Sequence, residues 1–94
     1  MGNFLLAWGA AGGSINYLNY PMGLALDAAG RVYVADNQNH RIQVFDSSGA
    51  SLATIGTYGT GVGQFTYVFG VAVDANGTIY GVDAGNNRIH VITR

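Results

Sequence analysis

These 94 residues contain no cysteine, no lysine and no glutamate, and only one proline. The missing cysteine excludes disulfides, thiolate nucleophiles and cysteine-ligated metal sites, and leaves the redox compartment open. The missing lysine leaves Arg31, Arg41, Arg88 and Arg94 against Asp27, Asp36, Asp46, Asp74 and Asp83, a net charge of −1. Without a basic run there is no phosphate-neutralising surface, so no nucleic-acid partner is expected. Strong helix formers are scarce, whereas 15 glycines, six tyrosines and many Val, Ile and Thr residues favour strands joined by tight turns. No segment approaches the length needed to cross a membrane, and no membrane partner is expected. Phe4 to Ala11 is a short apolar stretch with no positive residue before it, which does not read as a signal peptide. Leu6 stands where a myristoylation site needs Ser or Thr. A soluble protein of unspecified compartment is expected. One core of this size only marginally offsets chain entropy, and self-association is the remaining source of stability.

What is present is a repeat. Subtracting Gly23 from Gly70, Asp27 from Asp74, Tyr33 from Tyr80 and Arg41 from Arg88 gives 47 each time, half of the 94 residues, so the chain is two units without a gap. Periods of this size belong to propellers and solenoids. Within a unit, short runs that alternate or are wholly apolar, bounded by turn residues, read as strands. The first unit places them at Gly23 to Leu26, Arg31 to Ala35, Arg41 to Phe45 and Ser51 to Ile55. The second supplies Gly70 to Val73, Thr78 to Val82 and Arg88 to Ile92, and its fourth strand recurs at the other end of the chain as Phe4 to Trp8. Asp27 to Gly30 and Asp74 to Gly77 read as tight hairpins in which the carboxylate accepts backbone N–H groups and the glycine takes positive φ. The glycine-rich links around Gly56 to Gly63 read as exposed loops of variable path.

The run from Gly23 to Phe45 resembles an NHL repeat, and Gly61 to Phe65 resembles the link between blades of that family. The Asp-x-x-Asn-x-Arg-Ile block recurs at Asp36 to Ile42 and Asp83 to Ile89 in the same register. Asn87 in place of His40, Val68-Phe69 in place of Pro21-Met22 and Gly81 in place of Val34 depart from the first copy and weaken the second. The resemblance implies an all-β propeller of four-stranded antiparallel blades, six in a typical member. Family uses include protein binding, RNA binding and, in a few members, lyase or hydrolase chemistry.

Two blades cannot enclose a channel, and each has an apolar face that a neighbour must cover. The expected domain is a single unit over residues 1–94. Residues 1–9 form an outer strand completing a neighbouring chain's blade, 23–56 the first blade, and 70–94 three strands of the second. Exchange of that strand and head-to-tail docking lead to a closed homotrimer with six blades; four chains with eight blades is the other closure considered.

Asp36, Asn39, Arg41, Asp83, Asn86 and Arg88 are expected to fix turns and not to perform chemistry, because the block occurs in both copies. No serine, histidine and aspartate set is implied by spacing, so no catalytic residue and no enzymatic activity are expected. Neither His40 nor His90 is expected near a ring axis, so no metal and no cofactor are expected. Tyr17, Tyr20, Tyr58, Phe65, Tyr67 and Phe69 gather in the links, and Phe65 and Tyr67 are expected to wedge between blades. A self-assembling structural module, engineered or fragmentary in view of its even doubling, is the leading expectation. A glycan- or peptide-binding ring using Tyr17, Tyr58, Asn37, His40 and Asn87 is the alternative. A metal-dependent lyase or lactone hydrolase is the third.

Overall fold

The computed structural model describes residues 6–13 and 17–93. Its elements are β1 (Ala10–Ala11), β2 (Tyr17–Leu18), β3 (Pro21–Leu26), β4 (Val32–Asp36), η1 (Asn37–Asn39), β5 (Arg41–Phe45) and β6 (Ser51–Ile55). There follow β7 (Thr57–Tyr58), β8 (Gln64–Phe65), β9 (Val68–Val73), β10 (Ile79–Asp83), η2 (Ala84–Asn86) and β11 (Arg88–Ile92). The long strands form an antiparallel four-stranded sheet in the order β3-β4-β5-β6 and an antiparallel three-stranded sheet in the order β9-β10-β11. The chain is therefore all-β, with η1 and η2 as single 3-10 turns between each sheet's second and third strands. No described helix is long and apolar enough to cross a membrane.

The long strands fall close to where the sequence places them: the first of each sheet begins two residues earlier, at Pro21 and Val68, and the second lies one residue later, at Val32–Asp36 and Ile79–Asp83. Of the expected leading strand, Phe4 and Leu5 lie outside the described residues, and Leu6–Trp8 form no strand within this chain. The hairpins form as their chemistry requires. Asp27 Oδ1 accepts the N–H groups of Ala29 (3.0 Å) and Arg31 (2.9 Å), and Asp74 Oδ1 those of Asn76 and Thr78 (both 2.9 Å). Gly30 and Gly77 turn the corner at φ 83° and 82°, a region costly for a side chain.

The link after β6 is not the loop of variable path expected from its glycines. β7 and β8 pair in parallel, and Gly59 N–H donates to Phe65 O at 3.2 Å. Its counterpart β1 pairs with β2 in the same way.

Residues opposite one another in an antiparallel pair share a face. On the first sheet, Tyr33 lies opposite Val44, and Ala35 opposite Ile42. Together with Ala53 and Ile55 they pack against Val71, Val73, Ile79 and Ile92 of the second sheet, making one core between the sheets. Phe65 enters this core from the link and is fully buried. Gly81 makes room for it: a Cβ there would lie 3.1 Å from two Phe65 ring carbons and from Ile42 Cδ1. The departure from Val34 is thus a packing adjustment and not a weakening of the second sheet.

Candidate interaction surfaces

The repeated Asp-x-x-Asn-x-Arg block clamps each link onto its sheet. Asp36, with no exposed surface, accepts Asn19 N–H (2.8 Å), Asn39 Nδ2 (3.0 Å), Arg41 Nε (2.8 Å) and Gln43 Nε2 (3.2 Å). Arg41 Nη2 also donates to Tyr17 O at 3.0 Å, and Asn39 Nδ2 to Gly12 O at 2.8 Å. In the second copy Asp83 accepts Thr66 N–H (3.1 Å) and Asn86 Nδ2 (2.8 Å), while Arg88 Nη2 donates to Gly61 O and Gln64 O (2.8 and 3.0 Å). Burial alone would raise the Asp83 pKa, but the Asn86 carboxamide, the Thr66 N–H and His90 outweigh it and hold it down to about 2. In each carboxylate Oδ1 accepts a backbone N–H and Oδ2 accepts side-chain donors, so both oxygens are engaged in holding the link and the turn. Among the described residues, no three His or Asp side chains converge as metal ligands would.

The loop end of the molecule carries the aromatic residues. His40, held at φ 57° after η1, packs between Tyr58 and Tyr67 with ring centroids 4.5 and 5.9 Å apart, and its Nδ1 meets Thr66 O. Asn37 is buried and its Nδ2 donates to Val68 O at 3.0 Å. These three of the five residues expected to bind ligand therefore join the two sheets. Tyr17 lies in the link before the first sheet, and its carbonyl is taken by Arg41. Asn87 follows η2 at φ 53°. Beside the junction a cleft of about 380 Å³ is lined by Tyr20, Met22, Asn37, Gln38, Tyr67 and Phe69, so only Asn37 of the five faces it. Tyr20, Tyr67 and Phe69 were legible as link aromatics; Met22 and Gln38 carried no signal in the sequence.

Both outward sheet faces carry exposed aliphatic side chains. On the first sheet Leu24 is 64% and Leu26 60% exposed, and on the second Ile89 is 56% and Val91 62% exposed. Shifted by the repeat of 47, Leu24 and Leu26 correspond to Val71 and Val73, and Ile89 and Val91 to Ile42 and Val44. All four counterparts belong to the core between the sheets, where Ile42 and Val44 have no exposed surface. The two open faces are thus repeat copies of the two faces that meet.

The NHL repeat family model matches residues 18–45. Protein lin-41 of Caenorhabditis elegans is 42% identical over 45 residues, which cover 48% of this chain and 4% of that protein. NHL repeat-containing protein 3 of Homo sapiens is 48% identical over 46 residues, 47% of this chain and 13% of that protein. The chain therefore matches only a small part of either relative's length.

Proposed function

We propose that the chain is a two-blade subunit that docks head to tail with two further copies into a closed six-bladed propeller, a structural interaction module with no catalysis of its own. The observation that carries this reading is the correspondence of faces. The outward face of the first sheet is a copy of the surface the second sheet offers to the first, and the outward face of the second copies the surface that receives it. A second copy of the chain therefore fits each open face with the aliphatic packing of the junction inside the chain. Contacts between such unlike faces either close or grow without limit, and a ring closes them. Full burial of a Leu, Ile or Val side chain stabilises by roughly 1.5–3 kcal/mol. More than half of that gain remains open at each of Leu24, Leu26, Ile89 and Val91.

The leading segment supports exchange. Trp8 is the counterpart of Ile55, and Phe45 that of Ile92. Ile55 and Ile92 share the core between the sheets, and Trp8 packs on Phe45 with ring centroids 4.8 Å apart. Trp8 thus lies over the first sheet as the end of β6 lies over the second. In the ring, the leading segment through Leu6–Trp8 pairs with the free edge of a neighbour's β11 and hides an edge that would otherwise template aggregation. Native mass spectrometry should find three times the 9.8 kDa chain mass, and deletion of residues 1–9 should abolish it. A folded monomer at micromolar concentration would refute the proposal.

A further inference from the structure

We infer that each junction between copies carries a binding site for a neutral pyranose sugar, a site that the junction within a chain lacks. The inference rests on the ring proposed above. Inside the chain, three side chains fill the loop end of the junction: His40 against Tyr58, Tyr67 and Thr66 O, Tyr58 against His40, and Asn37 on Val68 O. Shifted by 47, these become Asn87, Ala11 and Ala84, while Thr66, Tyr67 and Val68 become Asn19, Tyr20 and Pro21. Where η2 of one copy meets the leading link of the next, all three filling residues are cut back. The receiving half is already hollow. A concavity of about 500 Å³ is lined there by Trp8, Ala10, Ala11, Asn19, Tyr20 and Pro21.

The lining selects the ligand. It contains no charged side chain, so an ion entering it would lose hydration without a counter-charge. Tyr20 is 70% exposed and supplies a flat apolar face beside the Trp8 indole. The carboxamide of Asn19 makes no hydrogen bond to a described residue, nor does that of Asn87, which the neighbour brings to the same cleft. A carboxamide offers donor and acceptor side by side, which suits a pair of adjacent hydroxyls. Aromatic faces suit the C–H face of the ring those hydroxyls sit on. An uncharged pyranose presents both features at once.

The test uses the intact protein, with ring mass and binding read separately. Methyl glycosides of glucose, mannose, galactose and N-acetylglucosamine are titrated by saturation-transfer NMR. The triple variant Ala11→Tyr, Ala84→Asn, Asn87→His installs at the outer junction the residues that fill the inner one, and Asn87→His alone is a milder block. At least one glycoside should bind the wild-type ring, and each variant should weaken that binding tenfold or more while keeping ring mass. A wild-type ring that binds none of the four, or a ring-forming variant that binds as well as wild type, overturns the site and leaves assembly standing. A wild-type chain that is monomeric by mass overturns assembly and the site with it.

Discussion

Gly81 and Phe65 offer the sharpest test of how the two sheets are held together. In Gly81→Val the new Cβ alone lies 3.1 Å from two Phe65 ring carbons and from Ile42 Cδ1, before its two methyl groups are placed. Carbon contacts settle at roughly 3.5–4.0 Å, so ring and isoleucine must both yield. Overpacking of this kind costs about 1–3 kcal/mol. Removing a flexible glycine from a strand returns about 0.5–1 kcal/mol. The single variant should therefore lose about 1–2 kcal/mol. Phe65→Leu alone opens a hole in the same core and should lose a similar amount, below the roughly 3–5 kcal/mol of a full Phe→Ala truncation. Together the two changes recreate the pair at Leu18 and Val34 in the first copy. The double variant should then cost less than the sum, with a coupling of about 1–2 kcal/mol. Urea unfolding followed by the fluorescence of Trp8, the single tryptophan, reads all four proteins at one fixed concentration, since the proposed assembly would make stability depend on concentration. Additivity within about 0.5 kcal/mol would refute the packing argument.

Further outcomes follow from the clamps and turns. Asp36→Ala removes the buried acceptor that Arg41, Asn39 and Gln43 share, and should cost about 3–5 kcal/mol in the same urea assay. Acid should weaken the fold: Asp83 titrates near 2 when folded against 3.8 unfolded, so its contribution is complete above pH 4 and fades as pH falls toward 2. Asp46, held down by Ser48 and Ala50, adds a loss of the same sign, and a urea midpoint unchanged between pH 6 and pH 2.5 would contradict both. Gly49→Ala puts a side chain at φ 96° with its Cβ 2.6 Å from the Trp8 ring, and should shift Trp8 emission as well as cost more than about 1 kcal/mol. Unchanged emission would show that Trp8 does not rest on that hairpin.

The strands were legible because each alternates or runs apolar between Asp-x-x-Gly turns, and because a second copy confirmed the register of the first. The turn chemistry was legible for the same reason, down to the carboxylates of Asp27 and Asp74 accepting two N–H groups each. The pairings β1 with β2 and β7 with β8 were not. Two residues carry no periodicity, and what holds them is distant: Arg88 reaching the carbonyls of Gly61 and Gln64. Nor could composition show that His40 and Asn37 join the sheets. Choosing Tyr17, Tyr58, Asn37, His40 and Asn87 by residue type and loop position put side chains from different places into one set, since nothing in a strand pattern says which link a turn will face. Gly81 taught the same lesson in reverse, because its meaning lies in Phe65, sixteen residues before it in sequence and against it in space.

The two copies differ least where the sheets pair and most where one junction meets the loop end, and this asymmetry bears on what drives assembly. The junction inside the chain gains the Asn37 bond to Val68 O and the tilted ring contact of His40 with Tyr58. The proposed junction between copies, with Ala84, Asn87 and Ala11 at those positions, would forgo both. Its strength would therefore come from elsewhere: the aliphatic faces of Leu24, Leu26, Ile89 and Val91, and the backbone ladder that the proposed strand exchange would add. Burial of apolar surface is tolerant of small misfit, whereas a buried carboxamide left without its carbonyl is costly. In the proposed ring, directional contacts inside each chain and tolerant ones between chains would let the copies close without every polar group having to meet its partner at once.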